Sequence, residues 1–182
     1  MTTIVGISGS LRRGSFNASL LRAVDELLPD DIELSIGSIA DFPLYNADDE
    51  AEHGIPAPVA ELKDAIAGAD ALLISTPEYN NSIPGVLKNA IDWLSRPPRD
   101  IPRVFGELPV AIMGASPGRF GTVLSQNAWL SVLRTLGTEL WSGRMLVSGA
   151  KNVFDEEGVI TDADTRQRLE TFINGFIEFL RD

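Results

Sequence analysis

The chain has 182 residues, 44% of them hydrophobic and 23% charged, with a formal net charge of −11, no cysteine and a single histidine. This is the composition of a globular protein of domain size. It excludes disulfides, Cys-ligated zinc, iron–sulfur clusters and thiol redox chemistry, and His53 as the single histidine argues against a Ser-His-Asp triad or a multi-histidine metal site.

The acidic balance makes nucleic acid and anionic membranes poor partners. No apolar run reaches the roughly 20 residues of a membrane span. The opening residues, MTTIVGISGS, carry no basic n-region, so a cytoplasmic protein without a secretory signal is expected. Charge is unevenly placed. Residues 1–24 and 108–138 contain arginines and no Asp or Glu, as expected of segments that hold buried strands or that meet an anionic ligand at their loops.

In chain order, TIVGIS (3–8) reads as a strand, and FNASLLRAVDELL (16–28) as a helix with Phe16, Leu20, Ala23, Val24 and Leu27 at helical spacing. IELSIG (32–37) is a second strand, and ADFPLYN is a loop. His53, in AEHGIP, reads as an exposed loop residue. APVAELKDAIAGA (57–69) is an amphipathic helix with Pro58 near its start and Gly68 near its end. DALLIST (70–76) is a third strand, apolar enough to be buried on both faces. GVLKNAIDWLS (85–95) is a helix with Leu87, Ala90, Ile91 and Leu94 on its core stripe. Trp93 falls outside that stripe and, with SRPPRDIP after it, is expected at a subunit contact or over a partner's site. PVAIMGA (109–115) is a fourth strand, residues 122–137 are a helix closed by Gly137, and TELWSGRMLVS is a fifth strand or extended pair. A terminal helix follows, with Thr161 or Asp162 as its N-cap.

Strands alternating with helices imply an α/β fold: a five-stranded parallel sheet with helices on both faces, forming one domain over 1–182. Ligands of such sheets bind beyond the carboxyl ends of the strands. Three loops therefore matter: 8–17, 76–84 and 115–121.

The first, SGSLRRGSFN, has neither the G-x-G-x-x-G of a dinucleotide fingerprint nor the Lys of a Walker loop. It offers Ser10, Ser15 and Asn17 as donors and Arg12 as a charge, ahead of a helix N-terminus, which suits a terminal monophosphate with no metal. A plain Ser-capped helix start is the alternative.

The second runs from Pro77 to Pro84, with Glu78, Tyr79 and Asn80 on a rigid polar shelf whose backbone N–H groups suit the heteroatom edge of a planar ring. A structural turn with Tyr79 packed beneath it is the alternative, and Glu78 is also a candidate general base. The third, GASPGRFGT, carries glycines that let backbone approach a flat ligand closely.

Taken together, GSLRRGSFN (9–17), PLYNAD (43–48), TPEYNNSIPGVLKNAIDWLSRP (76–97) and SPGRFGT (116–122) resemble the NADPH-dependent FMN reductase family. That is the flavodoxin-like group containing bacterial chromate, quinone and azoreductase-like enzymes. The similarity runs in order over nearly the whole chain.

The resemblance implies a flavodoxin-like three-layer α/β/α sandwich. It implies bound FMN with its phosphate held by Ser10, Arg12, Ser15 and Asn17, with Phe16 among the cofactor-binding residues, and its isoalloxazine edge along Pro77, Glu78, Tyr79 and Asn80. Ser116 and Gly118 would lie on the flavin's other side. Many relatives carry paired glycines where this chain reads Arg119-Phe120-Gly121.

The implied activity is hydride transfer from NADPH or NADH to FMN, then electron delivery to a small-molecule acceptor: a quinone, an azo or nitro compound, a flavin or a chromate-type metal oxyanion. No residue acts as catalytic acid or base in that scheme, and a homodimer or homotetramer is implied. A flavodoxin-type one-electron carrier and a flavin-free binding module on the same fold are the competing readings.

Overall fold

Each of the apolar runs forms a strand because alternate residues have a different helical layer to face. In this computed structural model, which describes residues 1–181, the strands are β1 (Thr2–Ser8), β2 (Ile32–Gly37), β3 (Ala71–Ser75), β4 (Pro109–Ala115) and β5 (Glu139–Val147). They form one parallel sheet in the order β2-β1-β3-β4-β5. The helices are α1 (Phe16–Asp25), α2 (Ala47–His53), α3 (Ala57–Ala67), α4 (Gly85–Leu94), α5 (Ile101–Val104), α6 (Val123–Leu136) and α7 (Ala163–Arg181).

Along β3, Leu73 joins a core with Leu20 and Leu21 of α1 and Phe172 and Phe176 of α7. Leu72 and Ile74 join the opposite core, with Leu62 and Ile66 of α3, Leu87 and Ile91 of α4, and Trp129 and Leu133 of α6. β3 is thus buried on both faces throughout. The chain leaves β1 toward β2 and returns to place β3 on β1's other side. This order is the flavodoxin-like one, and its switch point lies at the carboxyl ends of β1 and β3.

Most sequence-based boundaries hold within a few residues, the first helix ending at Asp25. Asp162 precedes α7, its carbonyl accepting from Arg166 N at 3.0 Å and its carboxylate from Thr165 Oγ1 at 3.2 Å. The fifth strand is a single strand with a register shift against β4 between Val110 and Ile112.

Two expectations change. Residues 47–53 are helix α2, and His53 is its exposed last residue rather than a loop residue. This helix buries no residue, so it lacks the apolar stripe that periodicity detects. It forms because Asn46 Oδ1 accepts from Asp48 N at 3.0 Å and the first turn carries Asp48, Asp49 and Glu50.

Trp93 is buried within its own chain, 1% exposed, rather than presented at a subunit contact. Its Nε1 donates to Pro43 O at 2.9 Å, and its ring meets Tyr45 edge-on at 5.0 Å. A strap from Phe42 to Asn46 covers the side of α4 that the helix's own spacing leaves bare. Asn89 fastens the strap, donating from Nδ2 to Pro43 O at 2.9 Å and accepting from Tyr45 N at 2.8 Å.

Polar pairs complete this side. Glu50 Oε2 accepts from Tyr45 Oη at 2.9 Å and from Arg96 Nε at 2.8 Å. Burial pushes the Glu50 carboxyl up, but the Arg96 and Tyr45 hydrogen bonds, with the charges of Arg96 and Lys63, outweigh it and hold the group below its ordinary 4.5. Lys63, nearly buried, donates to Asp100 Oδ2 at 2.6 Å and to the carbonyl of Arg96. The Lys63 hydrogen bond, opposed by partial desolvation, holds Asp100 below its ordinary 3.8.

A carboxyl lowered on folding stabilises the fold above its unfolded pKa and loses that contribution as pH falls through its folded one. Asp100→Asn should therefore lower stability by an amount that is constant above about pH 5 and shrinks as pH drops below 3.8. Urea unfolding at stepped pH measures this; a gap that widens toward acid would contradict it.

Candidate functional site at the β1, β3 and β4 carboxyl ends

The first loop leaves β1 in close contact with the second. Gly9 N donates to Ser75 O at 2.8 Å, extending the β1–β3 pairing. A Cβ on Gly9 would lie 2.7 Å from Leu87 Cδ2 and 2.9 Å from Pro77 Cδ, so only glycine lets the loops approach this way.

Ser15 caps α1: its Oγ accepts from Ala18 N at 3.2 Å. That bond uses a lone pair and leaves the hydroxyl proton for a ligand. No acid lies in the first turn of α1. The Arg12 guanidinium lies 5.7 Å from the centre of the Phe16 ring, which stacks on Phe154 at 5.5 Å.

Asn17 has a different task from its neighbours. It is 3% exposed and turned into the protein. Its Nδ2 donates to Ala115 O at 3.0 Å, and its Oδ1 accepts from Ala115 N at 2.9 Å and from Ser75 Oγ at 3.1 Å. The paired bonds to one backbone residue fix which way the amide faces. Asn17 thereby joins the start of α1 to the ends of β3 and β4.

The second loop is a tight hairpin. Tyr79 and Ser82 exchange backbone bonds, 3.2 Å from Tyr79 N and 3.1 Å from Ser82 N, around Asn80 and Asn81 with φ of 50° and 61°. Two central residues in the left-handed region are the signature of a type I′ turn, and asparagine is among the few side chains that adopt it readily. Tyr79 is 44% exposed and does not pack beneath the turn. Pro84 stands at the N-cap of α4, one position before the first helical turn. Glu78 Oε2 accepts from Leu124 N at 2.8 Å and from Ser125 N at 3.1 Å, so its carboxylate is held by the start of α6.

The third loop is pinned to the end of β5. Ser116 N donates to Val147 O at 3.0 Å, and Gly149 N donates to Gly118 O at 3.0 Å. Ser116 Oγ donates to Gly121 O at 2.6 Å, across a turn in which Gly121 has φ of 62°.

These loops enclose a cleft of about 90 Å³. The first loop contributes Ser10, Arg12, Ser15, Phe16 and Asn17, and the second Pro77, Glu78 and Tyr79. Ser116 comes from the third, together with Ala115 and Pro117, which residue patterns alone do not single out. Nothing in their residue type marks Ala115 and Pro117; their place after an apolar strand is the only signal the sequence offers. Asn80 and Gly118 lie outside the cleft lining. Larger hollows of about 410 and 500 Å³ flank Trp141 in the first half of β5, away from these loops.

The donor set suits a phosphate ester. It combines one guanidinium, serine hydroxyls and a helix N-terminus, with the only carboxylate, Glu78, occupied by α6. Among the described residues no cluster of acids and histidine is arranged to hold a metal ion. Sheet order and cleft together define a flavodoxin-like nucleotide-binding protein.

Residues 2–151 match the model of the NADPH-dependent FMN reductase family, and the chain belongs to that family. It is 43% identical over 168 residues to an NAD(P)H-dependent FMN reductase of Pseudomonas aeruginosa, covering 92% of this chain and 89% of the relative. It is 40% identical over 180 residues to a 2-hydroxy-1,4-benzoquinone reductase of a Burkholderia species, covering 98% and 96%. Among solved structures it superposes on the flavoenzyme NAD(P)H:(acceptor) oxidoreductase FerB of Paracoccus denitrificans with a TM-score of 0.84 and 34% identity, covering 100% of this chain and 98% of that one. The chain is an FMN-dependent oxidoreductase that uses NAD(P)H.

Removing the Asn17 amide strands the N–H and C=O of Ala115. Asn17→Ala should cost about 2–4 kcal/mol of unfolding free energy. Asn17→Asp, which keeps the shape and loses the donor, should cost a similar amount. Urea denaturation of both variants measures this; a loss under about 0.5 kcal/mol in either would contradict the bridge.

Proposed function

We propose that the chain works as a single FMN-binding domain that passes electrons from NAD(P)H to a small-molecule acceptor, with quinones the preferred class. One observation carries this reading: an acid-poor cleft at the switch point, where Ser10, Arg12 and Ser15 at the start of α1 adjoin the Pro77–Tyr79 backbone. The phosphate end of FMN takes the cleft, with Asn17 holding the cleft's floor. Asn80 on the hairpin, with Ser116 and Gly118 of the third loop, would hold the FMN ring. When bound, FMN would supply the hydride-accepting and electron-delivering chemistry between NAD(P)H and the acceptor.

The protein's own part is to orient both partners and exclude water. No side chain lining the cleft is placed as a general acid or base: no histidine is present there, and Glu78 is committed to α6. The names of the relatives favour quinones; azo, nitro, flavin and chromate-type acceptors fit the same open site. A flavodoxin-type one-electron carrier would share the fold and the cofactor, but reduction by NAD(P)H would be slow.

Exposed apolar side chains stand on the loops around the cleft. Tyr79 is 44% exposed, Leu11 50% and Phe120 79%. This rim supports a homodimer or homotetramer in which a second copy covers the flavin. Dependence on NAD(P)H supports a cytoplasmic location. Among the described residues no helix is long and apolar enough to cross a membrane.

Anaerobic stopped-flow mixing of the flavin-loaded protein with NADPH, then with NADH, should bleach the flavin band rapidly with at least one donor. Slow bleaching with both would favour the carrier. Arg12→Ala should weaken FMN binding about 10- to 100-fold with no change in far-UV circular dichroism. Unchanged affinity by fluorescence titration would remove Arg12 from the phosphate site.

A further inference from the structure

Helix α6 begins without a cap of its own. Thr122 stands at its N-cap position and makes no capping side-chain bond. The N–H groups that a cap would satisfy, on Leu124 and Ser125, donate instead to Glu78 Oε2 at 2.8 and 3.1 Å, from a residue 46 positions before Leu124 in the chain.

The attachment continues underneath. Thr76 Oγ1 donates to Pro77 O at 2.9 Å, lies 3.0 Å from Ser125 Oγ and accepts from Trp129 Nε1 at 3.2 Å, all in buried surroundings. The strand end that launches the Tyr79–Ser82 hairpin is therefore fastened to α6 by one carboxylate at the surface and one hydroxyl in the core. The carboxylate also places a negative charge against the positive end of the α6 dipole, at the edge of the cleft.

We propose that Glu78 is a positioning residue: it caps α6 from the neighbouring loop, holds the hairpin in register for the flavin ring, and keeps the helix's positive end from raising the flavin's reduction potential. Geometry and charge are separable. Glu78→Gln keeps an oxygen that accepts both N–H groups and loses the charge. Glu78→Ala loses both. The redox half rests on the FMN reading above; the capping half does not.

Two measurements on wild type and both variants test the proposal. In the cofactor-free protein, hydrogen exchange at the Leu124 and Ser125 amides should be about as slow in Glu78→Gln as in wild type, and at least about tenfold faster in Glu78→Ala. In the FMN-loaded protein, the flavin's midpoint potential should rise in Glu78→Gln, because loss of a nearby negative charge favours the electron-rich form. Glu78→Ala should weaken FMN binding as well. Unchanged amide exchange in Glu78→Ala would overturn the cap. A potential that does not rise in Glu78→Gln would overturn the electrostatic role, since a purely structural contact leaves it unmoved. A wild type that takes up no FMN would sink the reductase reading, while the exchange data would still decide the cap.

Discussion

The start of α1 and the carboxyl ends of β3 and β4 meet at one side-chain amide. Asn17, on the first turn of α1, pairs with both backbone groups of Ala115 and accepts from Ser75 Oγ. Buried hydrogen bonds are modest in net worth, but leaving their partners unpaired is costly. The site therefore tolerates little slack between the loop after β1 and the ends of β3 and β4. Gly9 enforces the same closeness from the other side, with no space for a Cβ beside Leu87 and Pro77. Those contacts bring a serine-capped helix start, an arginine and a rigid hairpin to one cleft.

The three loops divide the work of the site. The first loop carries the Arg12 charge and the serine hydroxyls, and the second is a hairpin whose shape is fixed by two asparagines in left-handed conformation. The third is held to β5 and leaves Phe120 exposed. Glu78, the carboxylate of the cleft lining, is held by the start of α6, and in this family the cofactor carries the redox chemistry. The strap of residues 42–46 and the Glu50–Arg96 pair stiffen α4, the helix that begins where the second loop ends.

The sequence disclosed the strands and most helices because apolar residues alternate or recur at helical spacing wherever an element packs on the sheet. Helix α2 escaped because it packs nothing: its order comes from the Asn46 cap and its acidic first turn. Trp93 was misplaced because its cover is the strap, whose docking through Pro43 and Asn89 is a long-range contact with no periodic trace. The site loops were legible as loops, and the residues expected there largely converge on the cleft. Their individual tasks were not legible. That Asn17 faces inward and Glu78 caps a helix beginning at Val123 depends on which elements become neighbours, and residue type alone carries no such information.

The functional reading of this chain turns on the cleft between the three loops holding the phosphate of FMN. A crystal structure of the FMN complex would decide that point. The phosphate should lie at the start of α1, within hydrogen-bond reach of Ser10, Arg12 and Ser15, with the ring edge along the Pro77–Asn80 backbone. A phosphate elsewhere, for example in the hollows beside Trp141, would contradict it.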